Sequence, residues 1–378
     1  MSIGLVLSGG GARAAYQAGV ISALAEIAQK NGVQHIFKYF TGVSAGAINA
    51  TMLAATPGCR ITEGSEKLLN LWRHVTADQV YVTDPLQLSF GGVKWMADLS
   101  LGGLRPRSHR RALLDTSPLR NLIKEHCDFA NIQKNIEAEM FSALAISALD
   151  YFSTSTVTFV QGSPKTPSWQ RVRRQSESAK ITADHLLASS AIPLLFPPVT
   201  IERRHYGDGS IRNHSPCGPA IYLGAKKLIA IGVRKKQEVC YTSQHVEDVK
   251  PPTVGRVASV LLHAVMMDGL EVDIERLERI NSNILKLSES EQATLSVKPI
   301  EYLWISPSRD FSEIATNKVE RLPRMIRYLL RGLGSLQDAS EIASFLLFDP
   351  EYCRTLTEIG YEDGWKQKEP IERLLSGD

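Results

Sequence analysis

The sequence predicts an α/β protein in three layers, with a largely parallel sheet between helices and a mainly helical C-terminal extension. Three observations carry this. Short apolar runs alternate with segments of helical apolar spacing from residue 3 to about residue 235, and that alternation is the signature of a sheet covered on both faces. Two of the runs end in glycine turns that open directly into helices. Leu5-Val6-Leu7 leads into Ser8-Gly9-Gly10-Gly11-Ala12-Arg13, and the run from Ile36 to Phe40 leads into Gly42-Val43-Ser44-Ala45-Gly46. Beyond Pro251-Pro252 the pattern is helical, interrupted by one strand at Tyr302 to Ile305.

Taken in order, Val20, Ile21, Leu24 and Ile27 give the first helix one apolar face. The Ala-rich stretch Ala45 to Ala55 continues the second turn as a helix, and Ser65 to Arg73 reads as a third. Ser117-Pro118 starts another, with serine at the cap and proline in the first turn. Ala143 to Leu149 and Thr156 to Val160 are strands, Thr182 to Ser190 is a short helix halted by Ile192-Pro193, and Lys227 to Val233 is a buried strand. Thr253 to about Ile284 reads as one long helix with Leu270, Ile274 and Leu277 on one face. Near the end, Leu322, Met325, Ile326 and Leu329 interleave with Arg321, Arg324, Arg327 and Arg331, a basic amphipathic helix expected to pack on the α/β domain, with binding to a membrane surface as the alternative.

These patterns divide the chain into an α/β domain at 1–235, a linker at 236–255 and a mainly helical region at 256–378. Within the first, 78–115 is a candidate flap insertion. Phe90, Trp95, Met96 and Leu99 stand there among Gly91-Gly92 and Gly102-Gly103, followed by Arg105, Arg107, Arg110 and Arg111. Apolar anchors beside arginines suit a lipid surface; an excursion whose aromatics simply pack down is the plainer alternative.

Composition narrows the classes. A formal charge of +3 over 378 residues is too small to point to nucleic acid. Cys59, Cys127, Cys217, Cys240 and Cys353 are odd in number and lack metal-ligand spacing, so a reducing, cytoplasmic setting fits better than a disulfide framework or zinc site. Met1-Ser2-Ile3 runs straight into the first strand without a signal-peptide pattern. No apolar run approaches the ~18–20 residues that span a bilayer, so membrane contact is expected to be peripheral. No calcium loop or ligand cluster stands out, and no metal or cofactor is expected. Oligomeric state is left open.

Chemistry enters at the two glycine turns. A serine between a strand and a helix in Gly-x-Ser-x-Gly has its hydroxyl pushed outward, and the glycines let the two elements pass closely. Exposed amides at a glycine-rich helix start can receive the oxyanion of a tetrahedral intermediate. Together they suit acyl transfer. Gly9 to Ala14 also satisfies a relaxed dinucleotide fingerprint, but the strand at 36–41 ends in Thr41-Gly42 rather than an acid. A Ser-His-Asp enzyme could draw on His205 and His214, which flank Asp208, although its serine normally follows several strands. Gly207-Asp208-Gly209 by itself reads as a hairpin turn.

Taken together, these blocks resemble the patatin-like phospholipases. The resemblance rests on Gly9-Gly10-Gly11-Ala12-Arg13, Gly42 to Gly46, Ala188 to Val199 and Asp208-Gly209, in the family's order across residues 3–233. It implies a patatin-like three-layer sheet, Ser44 as nucleophile and Asp208 as its base, with the amides of Gly9, Gly10 and Gly11 as oxyanion hole. Arg13, Gly42, Gly46 and Gly209 would support them. Two positions depart from the pattern: Ser8 where many members carry an acid, and Ser210 where glycine or alanine is common. Neither removes a catalytic group. The implied activity is that of a phospholipase A or lysophospholipase, acting on membrane lipid through an acyl-serine; the apolar and basic residues of 78–115 are candidates for peripheral contact with an anionic membrane. A Ser-His-Asp esterase or neutral lipase, and a non-catalytic lipid-binding protein, are the alternatives.

Overall fold

In the computed structural model, which describes residues 2–84, 112–236, 251, 253–333 and 339–376, the strands form one sheet. In chain order the first are β1 (Ile3–Leu7), β2 (Tyr39–Val43), β3 (Ala143–Asp150), β4 (Ser155–Gly162) and β5 (Gln170–Arg171). Then follow β6 (Arg174–Ser178), β7 (Val199–Ile201), β8 (Arg204–Asp208), β9 (Lys227–Ile231) and β10 (Glu301–Ile305). Their order is β10-β9-β1-β2-β3-β4-β6-β5, with β8 paired to β3 and β7 to β8.

From β10 to β3 every neighbour is parallel, as the strand–helix alternation predicts. The β1 run Ile3-Gly4-Leu5-Val6-Leu7 is buried throughout, because helices cover both faces. Past β3 the sheet is mixed. Short hairpins join β3 to β4 and β7 to β8, and a hairpin can only make antiparallel neighbours. The β7–β8 turn is Glu202-Arg203, both at positive φ, so Gly207 and Asp208 end a strand and are not the hairpin turn.

Helix α1 (Ala15–Lys30) is buried nearly all round, beyond the single apolar face expected of it. On its outer side α3 (Ile61–His74) and the C-terminal helix Pro350–Lys366 pack against it; α2 (Ala45–Ala54) follows β2. A Cβ at Gly360 would lie 2.1 Å from the Tyr16 carbonyl, so the C-terminal helix and α1 touch at backbone level. The region beyond 256 therefore contributes a strand to the sheet and a helix to its cover.

The single helix expected over 253–284 is two, Val254–Met266 and Asp268–Ile284. The break at Met267 lets Leu270, Ile274 and Leu277 pack under β9 and β10 while Met266 and Met267 join the main core. In the basic amphipathic segment, Leu322, Ile326 and Leu330 are buried against the body. At the candidate flap the Val82 amide donates to the Asp115 carbonyl at 2.9 Å, joining its two ends. Residues 85–111, with all the apolar and basic positions noted there, lie outside the described residues, as does most of the linker at 236–255.

Candidate active site

Strand register brings the two central residues together. Val43, the last residue of β2, pairs with Ser147 of β3, and the next β3 residue, Ala148, pairs with Asp208 of β8. Ser44 and Asp208 thus flank one end of β3, though 164 positions separate them in sequence.

Ser44 sits at φ 54°, ψ −131°. A non-glycine residue in that region carries roughly 1–3 kcal/mol of backbone strain, and its neighbours must hold it there. Two observations show how. The Ser44 amide donates to Ser189 Oγ at 2.9 Å, and the Ser189 hydroxyl donates to the Ser147 carbonyl at 2.7 Å. At Gly46 a Cβ would stand 2.4 Å from the Ser8 carbonyl, so only glycine lets α2 start beneath the first glycine loop. Gly42 packs against the backbone of Gly46 from the other side.

Asp208 is fully buried. Its amide donates to the Ala191 carbonyl at 2.9 Å, and its Oδ1 accepts the Ser210 amide at 2.8 Å. Burial pushes its pKa from 3.8 up to about 6, outweighing the Ser210 amide and the Ser44 and Ser210 hydroxyls, which favour the charged form. Those hydroxyls stand close to the carboxyl, yet Oδ2 has no well-aligned hydrogen bond among the described residues, and neither has Ser210 Oγ. Gly209 lies against the Ser147 carbonyl.

Gly9 completes the convergence. A Cβ there would be 2.4 Å from Ser210 Oγ and 2.9 Å from Ser44 Cβ. The glycine loop, the serine turn and the aspartate turn therefore meet at one point. Among the described residues the amides of Gly9, Gly10 and Gly11 have no hydrogen-bond acceptor. Gly10 packs on Val233 and Gly11 on the Phe345 carbonyl. Arg13 is buried with its guanidinium engaged: Nε donates to Ser344 Oγ at 2.7 Å, NH2 pairs with Glu341, and the group lies 4.8 Å from the Phe345 ring centre.

From Ser44 an almost wholly apolar cavity runs inward, walled by Ile48, Met52, Leu119, Leu122, Phe196 and Phe348. Cys127 lies on it as a neutral thiol, its pKa pushed up to about 12 by burial. A larger cavity of about 580 Å³, beside Arg13 and of mixed polar and apolar lining, shares no lining residue with the Ser44 cavity.

The histidines beside the aspartate turn point elsewhere. His205 is exposed and bonded through Nδ1 to Thr200 Oγ1 at 2.9 Å, and His214 is exposed. Among the described residues no hydrogen bond joins a histidine to Ser44 or Asp208. Sequence reasoning missed Ser147, whose carbonyl anchors the bridge. It also missed Ser189, which lies inside a block that carried the family resemblance; its spacing says nothing of a bond to residue 44. No helix among the described residues is long and apolar enough to cross a membrane.

A family model for patatin-like phospholipase matches residues 5–221. Comparison with curated proteins finds no match. Among solved structures, VipD from Legionella pneumophila is 14% identical, with 81% of this chain and 61% of that chain covered and a TM-score of 0.34. The type III effector ExoU of Pseudomonas aeruginosa is 16% identical, with 98% and 53% covered and a TM-score of 0.39. Human GIVD cytosolic phospholipase A2, in complex with methyl gamma-linolenyl fluorophosphonate, is 12% identical, with 100% and 59% covered and a TM-score of 0.40. The aligned part thus amounts to between 53% and 61% of these longer chains. The family match spans more than half of this chain and includes the glycine loop, the serine turn and the aspartate turn that meet at Ser44 and Asp208, and the chain belongs to the patatin-like phospholipases.

Proposed function

We propose that this protein is a lipid acyl hydrolase that cleaves fatty acyl esters of glycerophospholipids or lysophospholipids, with Ser44 as nucleophile and Asp208 as its base. The observation that carries this is the apolar cavity opening at Ser44, beside a buried carboxylate whose Oδ2 has no aligned partner among the described residues. The cavity is narrow, about 50 Å³, so an acyl chain enters it by parting the apolar walls and leaves its ester at the mouth.

Ser44 Oγ attacks the ester carbonyl as Asp208 takes the hydroxyl proton, and the oxyanion forms against the amides of Gly9, Gly10 and Gly11. Collapse expels the alcohol, which receives the proton from Asp208 and leaves the acyl chain on Ser44. Water then attacks, gives its proton to Asp208, and the fatty acid departs as Ser44 recovers a proton. A carboxylate is a weak base for a hydroxyl, so the glycine amides carry much of the work; one such donor is worth about 3–4 kcal/mol. Burial helps, because it raises the basicity of Asp208.

A fluorophosphonate probe tests the nucleophile: it should label the protein, and the label should vanish in Ser44→Ala. Incubation with a mixed lipid extract, read by mass spectrometry, should release free fatty acid with lysophospholipid or its deacylated product. Lipid binding without label or product would make this a binding protein. A folded His205→Ala or His214→Ala variant as inactive as Ser44→Ala would replace the dyad by a triad.

A further inference from the structure

We propose that the Ser340–Leu346 helix, which lies beyond the family-matched residues, positions the active site: through Glu341 and Ser344 it holds Arg13 and so sets the glycine loop against Ser44. The inference rests on Ser44 and the glycine amides acting as described above.

Four contacts tie this helix to the loop, and they are of different kinds. Ser344 Oγ accepts from Arg13 Nε at 2.7 Å while its own hydroxyl donates to the Glu341 carbonyl at 2.6 Å. Glu341 pairs with the Arg13 guanidinium. The Phe345 ring covers the guanidinium. Finally, Gly11, at φ 55°, runs so close beneath the Phe345 carbonyl that a Cβ would stand 2.3 Å from that oxygen. A guanidinium that is 2% exposed must be paired, and a planar fork with partners in fixed directions leaves its own backbone little freedom. Arg13 is two residues from Gly11. What fixes one fixes the other.

The same segment reaches the acyl cavity. The Tyr81 hydroxyl donates to the Leu346 carbonyl at 2.9 Å, and Phe348 lines the cavity while stacking on Trp72 at 6.4 Å. One short stretch thus touches both the loop that meets the oxyanion and the wall that meets the chain. Arg13, with its donors turned to Glu341 and Ser344, is a strut of the loop and not a headgroup ligand.

Ser344→Ala and Glu341→Gln test this in the full-length chain with a short water-soluble ester. These variants are mild: one deletes a hydroxyl, the other keeps an acceptor without the charge. A displaced oxyanion loop costs transition-state binding and spares ground-state binding. The expected result is kcat lower by about tenfold to a hundredfold with KM unchanged, and a larger loss for Glu341→Ala than for Glu341→Gln. Both residues act through Arg13, so their effects in the double variant should fall short of the product. Unchanged kcat, or a lowered melting temperature with intact kcat in the folded fraction, overturns the proposal. Failure of the underlying reading is seen separately, as equal turnover of this ester by the unaltered protein and Ser44→Ala.

Discussion

Asp208 holds the main tension at the scale of single residues. In the proposed mechanism its carboxyl must be charged to accept the Ser44 proton, yet it is buried, and burial has raised its pKa from 3.8 to about 6. A folded-state pKa above the unfolded value favours folding while the group is protonated, and that contribution disappears as pH rises through the folded pKa. Above about pH 6 the charged carboxylate therefore destabilises the fold, by about 3 kcal/mol. Asp208→Asn should raise the melting temperature near pH 8, leave it unchanged near pH 4, and abolish hydrolysis throughout. A melting temperature lower than that of the unaltered protein near pH 8 would refute this account of Asp208. If the same carboxyl is the base, as proposed, kcat/KM should fall as pH drops through about 6. Ser210→Ala removes a hydroxyl that favours the charged form and should move that acid limb to higher pH. Ser44→Ala and Asp208→Asn together should be little worse than either alone, because the proposed dyad acts as a unit.

At the scale of elements, the site depends on backbone meeting backbone. The glycine loop approaches Ser44 so closely that a methyl at Gly9 would collide with Ser210 Oγ and Ser44 Cβ. Gly9→Ala should lower kcat by at least about a hundredfold with little change in KM for a short ester; a pure KM effect would make the loop a binding feature. Ser189 acts differently, as a hydrogen-bonded bridge from the Ser44 amide to the Ser147 carbonyl. Ser189→Ala leaves two buried backbone groups unpaired, and each typically costs about 1–3 kcal/mol. Denaturant titration should show that loss, together with slower labelling of Ser44 by a fluorophosphonate. Labelling at the original rate would mean that the strained turn holds itself.

For the molecule as a whole, the proposed acyl cavity is a shared construction. Ile48 and Met52 come from α2, Leu119 and Leu122 from the helix Ser117–His126, Phe196 from the segment before β7, and Phe348 from the C-terminal region. Chain-length preference should follow from its depth. Leu122→Trp should curtail hydrolysis of long-chain esters while a short-chain ester is turned over at close to the original rate, as competing chain lengths in one reaction would show. Equal loss on both would mean that the acyl chain lies elsewhere.

The sequence by itself determined the parallel half of the sheet, because strands buried on both faces and glycine turns into helices leave local, periodic marks. It also named the residues that the family match later covered, since the serine turn and the glycine loop are each built from neighbours in the chain. The tertiary structure alone decided the rest. That Ser44 stands beside Asp208 follows from the β2–β3 and β3–β8 registers, which pair residues far apart in sequence. The Ser189 bridge and the Glu341 and Ser344 hold on Arg13 span 145, 328 and 331 positions. One long amphipathic pattern became two helices because the core it meets changes direction at Met267, which no periodicity encodes. Burial is likewise a collective property: only the packed fold removes Asp208 from water and gives its carboxylate the raised pKa.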